Sequence, residues 1–111
     1  MKFAVTAPAA LALVLVSLSS PVMSMDEAAA EALARKSGCL KCHGIDKDKD
    51  GPSYKKIAAK HKGKADAEKK LSTHITTNPM VKIEGKEEEH ESLKSKDPAD
   101  VKNVVLWILS R

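Results

Sequence analysis

Hydrophobic residues recur along much of this chain with the spacing of amphipathic helices. A first helix is predicted over residues 26–37, where Ala29, Ala32 and Leu33 fall along one side. Acidic residues open its first turn and basic residues close its last, which suits the helix dipole. Gly38 is predicted to end the helix, because glycine readily adopts the left-handed conformation found at helix C-termini.

Two shorter helices are predicted in the middle of the chain. The first covers residues 53–60, and Ser53 is placed to cap its N-terminus. The second covers residues 65–76, where apolar side chains lie four positions apart, and the Asn78–Pro79 pair stops it. Residues 80–96, which are highly charged, are predicted to be irregular.

The C-terminal helix has the most complete set of signals. Asp97 is a cap, Pro98 takes the first helical position, and Asp100 places an acid three residues after the cap. An apolar stripe widened by Trp107 follows, formed by Val101, Val104, Val105 and Ile108. No strand-like alternation competes with these patterns. The predicted fold class is therefore all-α, with about four helices joined by long loops.

The N-terminal 24 residues have the three parts of a secretory signal peptide. A basic start is followed by 16 uncharged, largely apolar residues, 3–18, and then by a polar stretch with small residues up to Ser24. The apolar run is short for a bilayer span of about 20 residues, so an uncleaved anchor is the less favoured reading. We therefore predict a signal peptide over residues 1–24, a single mature domain over 25–111 without a membrane span, and a periplasmic location.

Charge is unevenly distributed in the predicted mature domain. The whole chain has a formal charge of +4, and seven lysines lie between Lys55 and Lys70 whereas five glutamates lie between Glu84 and Glu91. Such a charge dipole can orient a protein partner, although ordinary solvated helix faces explain it equally well. Only three aromatic residues occur, and no basic-aromatic array is present, so nucleic-acid binding is a poor fit.

The most informative motif is Cys39-Leu40-Lys41-Cys42-His43, which contains both cysteines of the chain. A thioredoxin-type dithiol needs a helix N-terminus in a βαβ setting, whereas this pair follows a helix end. A structural zinc site needs four ligands, and no second C-x-x-C is present. C-x-x-C-H is the attachment signature of a c-type haem. A haem would also supply the apolar core that the narrow helix stripes lack.

Other segments extend this match over essentially the whole predicted mature chain. The protein resembles a small bacterial class I cytochrome c, and the resemblance implies that family's helical fold around one covalently attached haem c. It also implies attachment at Cys39 and Cys42, iron ligation by His43, and a Pro52 carbonyl that accepts a hydrogen bond from His43 Nδ1–H. The segments that carry the resemblance are residues 39–46, 51–58, 65–68 and 104–110.

The second axial ligand is where this sequence departs from the family. The family usually supplies a methionine from a proline-rich loop shortly before the last helix. Met80 follows a proline but lies 17 residues before Asp97, whereas His90 lies only seven before it. His90 also has the better interval from His43. We therefore predict bis-His ligation by His43 and His90, with Met80 as the alternative and His74 or an open site behind them.

One feature of the sequence works against His90. Four glutamates surround it at positions 87, 88, 89 and 91, and their charge is expected to favour the protonated imidazole, which cannot bind iron. If His90 does ligate, the reduction potential should be lower than with methionine, because imidazole stabilises ferric iron more than a thioether does.

The predicted function is one-electron transfer in the periplasm by a monomeric monohaem cytochrome that docks redox partner proteins through charge complementarity. No nucleophile–base arrangement is visible, so the protein is not expected to be an enzyme. The alternative is a haem module that binds or senses a small ligand such as NO or CO after its sixth ligand leaves. The sequence does not name the electron donor, the acceptor or the potential.

Overall fold

Three of the helices begin at side-chain caps, and two of these caps, Ser53 and Asp97, are the ones that the sequence predicts. Asp26, Ser53 and Asp97 each adopt an extended backbone conformation and accept a hydrogen bond from a backbone N–H two or three residues further on. Each cap satisfies one of the N–H groups that a helix start leaves without a partner. Helix starts at these three sites are therefore set by local sequence.

The computed structural model describes residues 1–5, 12, 14–17 and 24–111. The four predicted helices are present, and the predicted all-α class, that of a cytochrome c fold, is confirmed. The third starts later than predicted, after a turn, because Asp66 makes no side-chain capping bond. The elements are α1 Glu27–Lys36, a 3₁₀ turn Cys39–Lys41, α2 Tyr54–His61, α3 Ala67–Thr76, β1 Met80–Ile83, β2 Lys86–Glu89 and α4 Pro98–Leu109.

Helix α4 is the centre of the fold and packs against α1, α2 and α3. Its Trp107 is fully buried and meets the ring of Tyr54 edge-on, with the ring centroids 5.1 Å apart. Asn103 joins α4 to the start of α1 through two hydrogen bonds of 2.8 and 2.9 Å with the backbone of Asp26. The terminal helices therefore form a fixed frame for the loops between them.

Residues 80–96 are not wholly irregular, and that prediction was wrong. Strands β1 and β2 form an antiparallel hairpin whose two-residue turn has Glu84 at φ 51° and Gly85 at φ 79°. Two positive φ values in succession suit the right-handed twist of a tight hairpin. The sequence hid the hairpin because Lys-Glu-Glu-Glu is a poor strand former. Tertiary contacts and cross-strand pairing of Lys82 with Glu87 compensate.

The predicted signal peptide over residues 1–24 falls largely outside the described residues. Those of its residues that are described, 1–5, 12, 14–17 and 24, form neither helix nor strand. Among the described parts of the chain, every helix is too short or too polar to cross a bilayer. Cleavage after Ser24 therefore remains a prediction.

Candidate cofactor site

A cavity of about 550 Å³ opens between the 39–43 segment, α3, the hairpin and α4. Cys39, Cys42 and His43 line one side of it, and His90 lines it from the hairpin end. Its apolar wall comes from α3 and α4, through Leu71, Ile75, Val104 and Ile108. The structure thus brings the whole C-x-x-C-H motif to one apolar cavity.

The two cysteines are delivered to the cavity by a sharp change of direction after α1. Gly38 has a φ of 77°, which ends the helix and leads into the 3₁₀ turn. The two cysteines do not form a disulfide with each other. Burial raises the pKa of Cys39, whereas a reactive dithiol needs a thiol whose pKa is lowered. This environment disfavours the dithiol alternative.

His43 is held by the backbone of the loop that follows the motif. Its Nδ1 lies 2.6 Å from the carbonyl oxygen of Pro52, the contact that the resemblance implies. A carbonyl only accepts, so Nδ1–H is the donor in this contact, and Nε2 is the ring nitrogen left for another partner. Tyr54 stacks on the same ring at a centroid distance of 5.4 Å, a contact that the sequence analysis missed. The orientation of the His43 ring is therefore fixed from two directions, by the Pro52 carbonyl and by Tyr54.

His90 stands across the cavity from His43. Their ring centroids are 6.0 Å apart and their planes are inclined by 46°. Two imidazoles that bind one metal ion from opposite sides are separated by about 6 Å, since each metal–nitrogen bond is about 2 Å long and the ring radii add the rest. Met80 lies outside the cavity lining, with 58 % of its surface exposed. The cavity geometry favours His90 over Met80.

Glu91 acts on His90 in the direction that the sequence predicts, but burial outweighs it. The pKa of His90 is lowered, first by burial and then by the neighbouring charge of His43, while Glu91 opposes this. The remaining glutamates, at positions 87–89, lie on an exposed strand. Burial therefore outweighs the sequence-based objection, because a buried imidazole favours its neutral form.

The segment that carries His90 is tied to the end of α3. His90 N–H donates to the carbonyl of Pro79 at 2.8 Å, and the Asn78 side chain donates to the His90 carbonyl at 2.9 Å. Ser92 Oγ donates to the Asn78 side chain, also at 2.9 Å. Asn78 has a φ of 50°, which asparagine tolerates better than most residues. These contacts close the base of the hairpin and hold the His90 backbone in place.

His74 also reaches this site, although the sequence analysis ranked it behind the other candidates. It lines the cavity from α3, and its ring centroid is 4.3 Å from that of His90. That separation is too short for the two rings to face each other across a metal ion. Burial lowers the pKa of His74, with further lowering by His90 and His43. His74 therefore lies beside His90 as a second neutral imidazole.

These residues fit a haem. Two thiols three positions apart, a histidine next to them and an apolar wall are what attachment of a c-type haem requires, and a second imidazole lines the same cavity. Four helices around such a cavity define a small monohaem c-type cytochrome.

Comparison with known proteins gives the same result. The family described as Cytochrome c matches residues 27–111, and the chain belongs to this family. It is 34 % identical over 80 residues to cytochrome c-551 of Allochromatium vinosum, an alignment that covers 69 % of this chain and 80 % of that protein. It is 47 % identical to cytochrome c-551 of Pseudomonas aeruginosa, over 40 % of this chain and 43 % of that protein.

Two solved structures extend the likeness to three dimensions. The class 1 cytochrome MtoD of Sideroxydans lithotrophicus ES-1 has a TM-score of 0.74 at 54 % identity, covering 78 % of this chain and 97 % of that one. Cytochrome c552 of Nitrosomonas europaea has a TM-score of 0.57 at 30 % identity, covering 72 % and 96 %. As a member of the family the protein carries one covalently attached haem c, and the Cys39/Cys42 pair fits the attachment motif.

Proposed function

We propose that this protein is a periplasmic one-electron carrier whose haem iron is bound by His43 and His90. The observation that carries the proposal is the pair of imidazoles 6.0 Å apart across the cavity that also contains both cysteines. Membership of a family whose relatives are named cytochromes c-551 and c2 supports the role of a monohaem electron carrier.

Different residues of the chain hold the cofactor and shield it from water. The haem, when bound, supplies an iron centre that exchanges one electron between ferric and ferrous states. Cys39 and Cys42 anchor it, and the Pro52 carbonyl fixes the His43 ring from behind at 2.6 Å. The buried side chains of α3 and α4 exclude water from the cavity wall. A closed, fixed site of this kind suits electron transfer without a catalysed reaction of the protein's own.

His90 as the second ligand has a consequence for the potential. Compared with a methionine thioether, an imidazole stabilises ferric iron and lowers the reduction potential. Glu91, next to His90, lines the same cavity and acts in the same direction, because ferric iron carries one more positive charge. We therefore propose a carrier of lower potential than a His/Met member of the family.

Location and partners follow from the sequence. The residues 1–24 have the composition of a cleavable signal peptide, and haem attachment to C-x-x-C-H fits export, so we place the mature domain 25–111 in the periplasm. Lys60 and Lys70, from the lysine-rich part of the chain, line the cavity together with Glu88 and Glu89 of the hairpin. We propose that a monomeric protein uses these charges to orient redox partners during encounter.

Absorption and near-infrared spectra of the exported holoprotein, oxidised and reduced, test the ligation. We expect a six-coordinate low-spin ferric spectrum without the deep-red band of iron–methionine bonding. The matched pair of variants is His90→Ala, which should lose this spectrum, and Met80→Ala, which should keep it. A methionine band in the wild type that disappears in Met80→Ala would overturn His90 and assign Met80.

A high-spin ferric spectrum would instead favour the second candidate, a haem module that binds NO or CO. The backbone ties of His90 to Asn78 and Pro79 argue against it, because a displaceable ligand needs a segment that can move away. Slow CO binding by the ferrous protein is therefore expected.

A further inference from the structure

The Nδ1 atom of His90 is buried and has no hydrogen-bond partner in the part of the chain that the structure describes. A buried N–H without an acceptor is unfavourable, because it loses the hydrogen bond that water would give it. A histidine that binds a metal through one ring nitrogen almost always donates a hydrogen bond through the other, and this bond fixes the ring and raises its basicity. The backbone of Glu91 interacts with the same ring but makes no hydrogen bond of suitable distance and angle with Nδ1. On the proposed ligation, Nδ1–H of His90 therefore needs an acceptor that side-chain adjustment can supply.

His74 is the polar ring placed to meet this need. Its centroid lies 4.3 Å from that of His90, with the two planes inclined by 56°. At this separation, rotation of one ring about its χ angles brings two nitrogens to a hydrogen-bond distance of about 3 Å. His74 lies on α3 next to Ile75, which is buried in the core. Packing of Ile75 therefore holds the backbone of His74 in place beside the cavity. By contrast His43, on the other side, has its Nδ1 on Pro52.

We propose that His74 is a positioning residue that accepts a hydrogen bond from Nδ1–H of His90 and so orients and strengthens His90 as the sixth iron ligand. This inference rests on the proposed His43/His90 ligation. The two axial histidines then have different acceptors, a backbone carbonyl for His43 and an imidazole nitrogen for His90. Because the acceptor of His90 is a side chain, its contribution can be removed by substitution, whereas that of Pro52 cannot.

The test compares three variants of the haem-loaded protein by reduction potential and by the rate at which cyanide replaces the sixth ligand of the ferric form. His74→Phe keeps a ring but has no acceptor, and His74→Gln restores an acceptor oxygen. His61→Phe is the matched control, because His61 also lines the cavity and also has a buried Nδ1 without a partner among the described residues.

We expect His74→Phe to weaken His90 binding to ferric relative to ferrous iron by roughly tenfold, which corresponds to an upward shift of about 59 mV for a one-electron couple. Cyanide replacement should accelerate by a similar factor. The reduction potential and cyanide rate of His74→Gln should lie closer to those of the wild type, and those of His61→Phe should equal the wild-type values. A His74→Phe variant that behaves like His61→Phe would overturn the proposal.

Two further results separate this inference from the ligation itself. Methionine ligation in the wild type would contradict the proposed His43/His90 ligation itself. Bis-His spectra together with a wild-type potential and cyanide rate in His74→Phe would contradict only the role of His74. A His90→Ala variant that stays low-spin until His74 is also replaced would overturn the inference by making His74 a ligand. If His74→Phe does not load haem, the rate of proton exchange at His90 Nδ1–H in the wild type tests the proposal instead. Rapid exchange would contradict a hydrogen bond from His90 to His74.

Discussion

His43 Nδ1 lies 2.6 Å from the carbonyl oxygen of Pro52, and Gly51 leaves the space in which this contact forms. A Cβ atom at position 51 would lie 2.7 Å from His43 Cε1 and 3.1 Å from Nδ1. Glycine is therefore needed here for close approach of an aromatic ring to the backbone, a demand separate from conformational freedom.

Gly51→Ala should displace the His43 ring and weaken its bond to Pro52. We expect a changed reduction potential, a lower yield of holoprotein, and destabilisation of about 1–3 kcal/mol from overpacking. Potentiometry and chemical denaturation measure the two effects. Gly63→Ala is the control, because Gly63 has a φ of 74° but open space around it, so it should lose stability without a change in potential. Equal potentials in Gly51→Ala and the wild type would contradict this account.

Asn78→Asp should loosen the segment that carries His90. The carboxylate still accepts from Ser92 and tolerates the positive φ, but it cannot donate to the His90 carbonyl. Loss of one such bond, about 1 kcal/mol, should make cyanide binding to the ferric protein roughly fivefold faster. Stopped-flow absorption gives the rate. Glu84→Asn, at the non-glycine residue with positive φ in the hairpin turn, should leave the rate unchanged. An unaltered rate in Asn78→Asp would contradict the role of Asn78 in holding His90.

Trp107→Ala should destabilise the fold by about 3–5 kcal/mol, because a fully buried indole between helices is replaced by a cavity. Trp107→Phe should cost less, since the indole N–H is buried without a partner among the described residues and its removal leaves no unpaired polar group. Lys102→Ala, exposed on the same helix, should stay within about 0.5 kcal/mol of the wild type. Denaturant titration ranks the three, and a Phe variant as unstable as the Ala variant would contradict the argument.

Asp48→Asn should give a pH-dependent loss of thermal stability. The Asp48 carboxylate accepts from Lys56 Nζ at 2.6 Å and from Ser53 N–H at 2.8 Å, and its pKa is lowered, mainly by Lys56. A lowered folded pKa contributes stability that is present above the unfolded value, about 3.9, and is lost as the pH falls through the folded value. The Tm difference between wild type and variant should therefore be present at neutral pH and shrink in acid.

The control for this prediction is Asp66→Asn. Asp66 pairs with Lys70 at 3.1 Å, and its pKa is lowered in the same direction. Its variant should show the same acid dependence while leaving the haem spectrum unchanged, because Asp66 is not among the residues that line the cavity. The Asp48 side chain instead holds the N–H of Ser53, the residue after Pro52, whose carbonyl contacts His43, so its variant should perturb the spectrum as well. A Tm difference that persists undiminished in acid would contradict the assigned role of the carboxylate.

Local signals predicted much of this structure correctly. Asp26, Ser53 and Asp97 begin helices where the sequence places them, because capping depends on side chains only a few residues away. Gly38 likewise ends α1 where the sequence predicts, because the left-handed conformation of a glycine is also a local property. The β-hairpin was missed because its second strand, Lys86–Glu89, has no strand-like composition, and its pairing depends on Met80–Ile83 and on contacts beyond it.

The sequence by itself determined the helices, the family and the haem attachment motif, since Cys39, Cys42 and His43 are neighbours in the chain and need no tertiary structure to be recognised. Only the tertiary structure decided what faces His43. Met80 is turned outward on β1, His90 is brought opposite His43 with a lowered pKa, and His74 comes beside it from another helix. Burial and distance between segments far apart in the chain govern these relations, and neither is a property of local sequence.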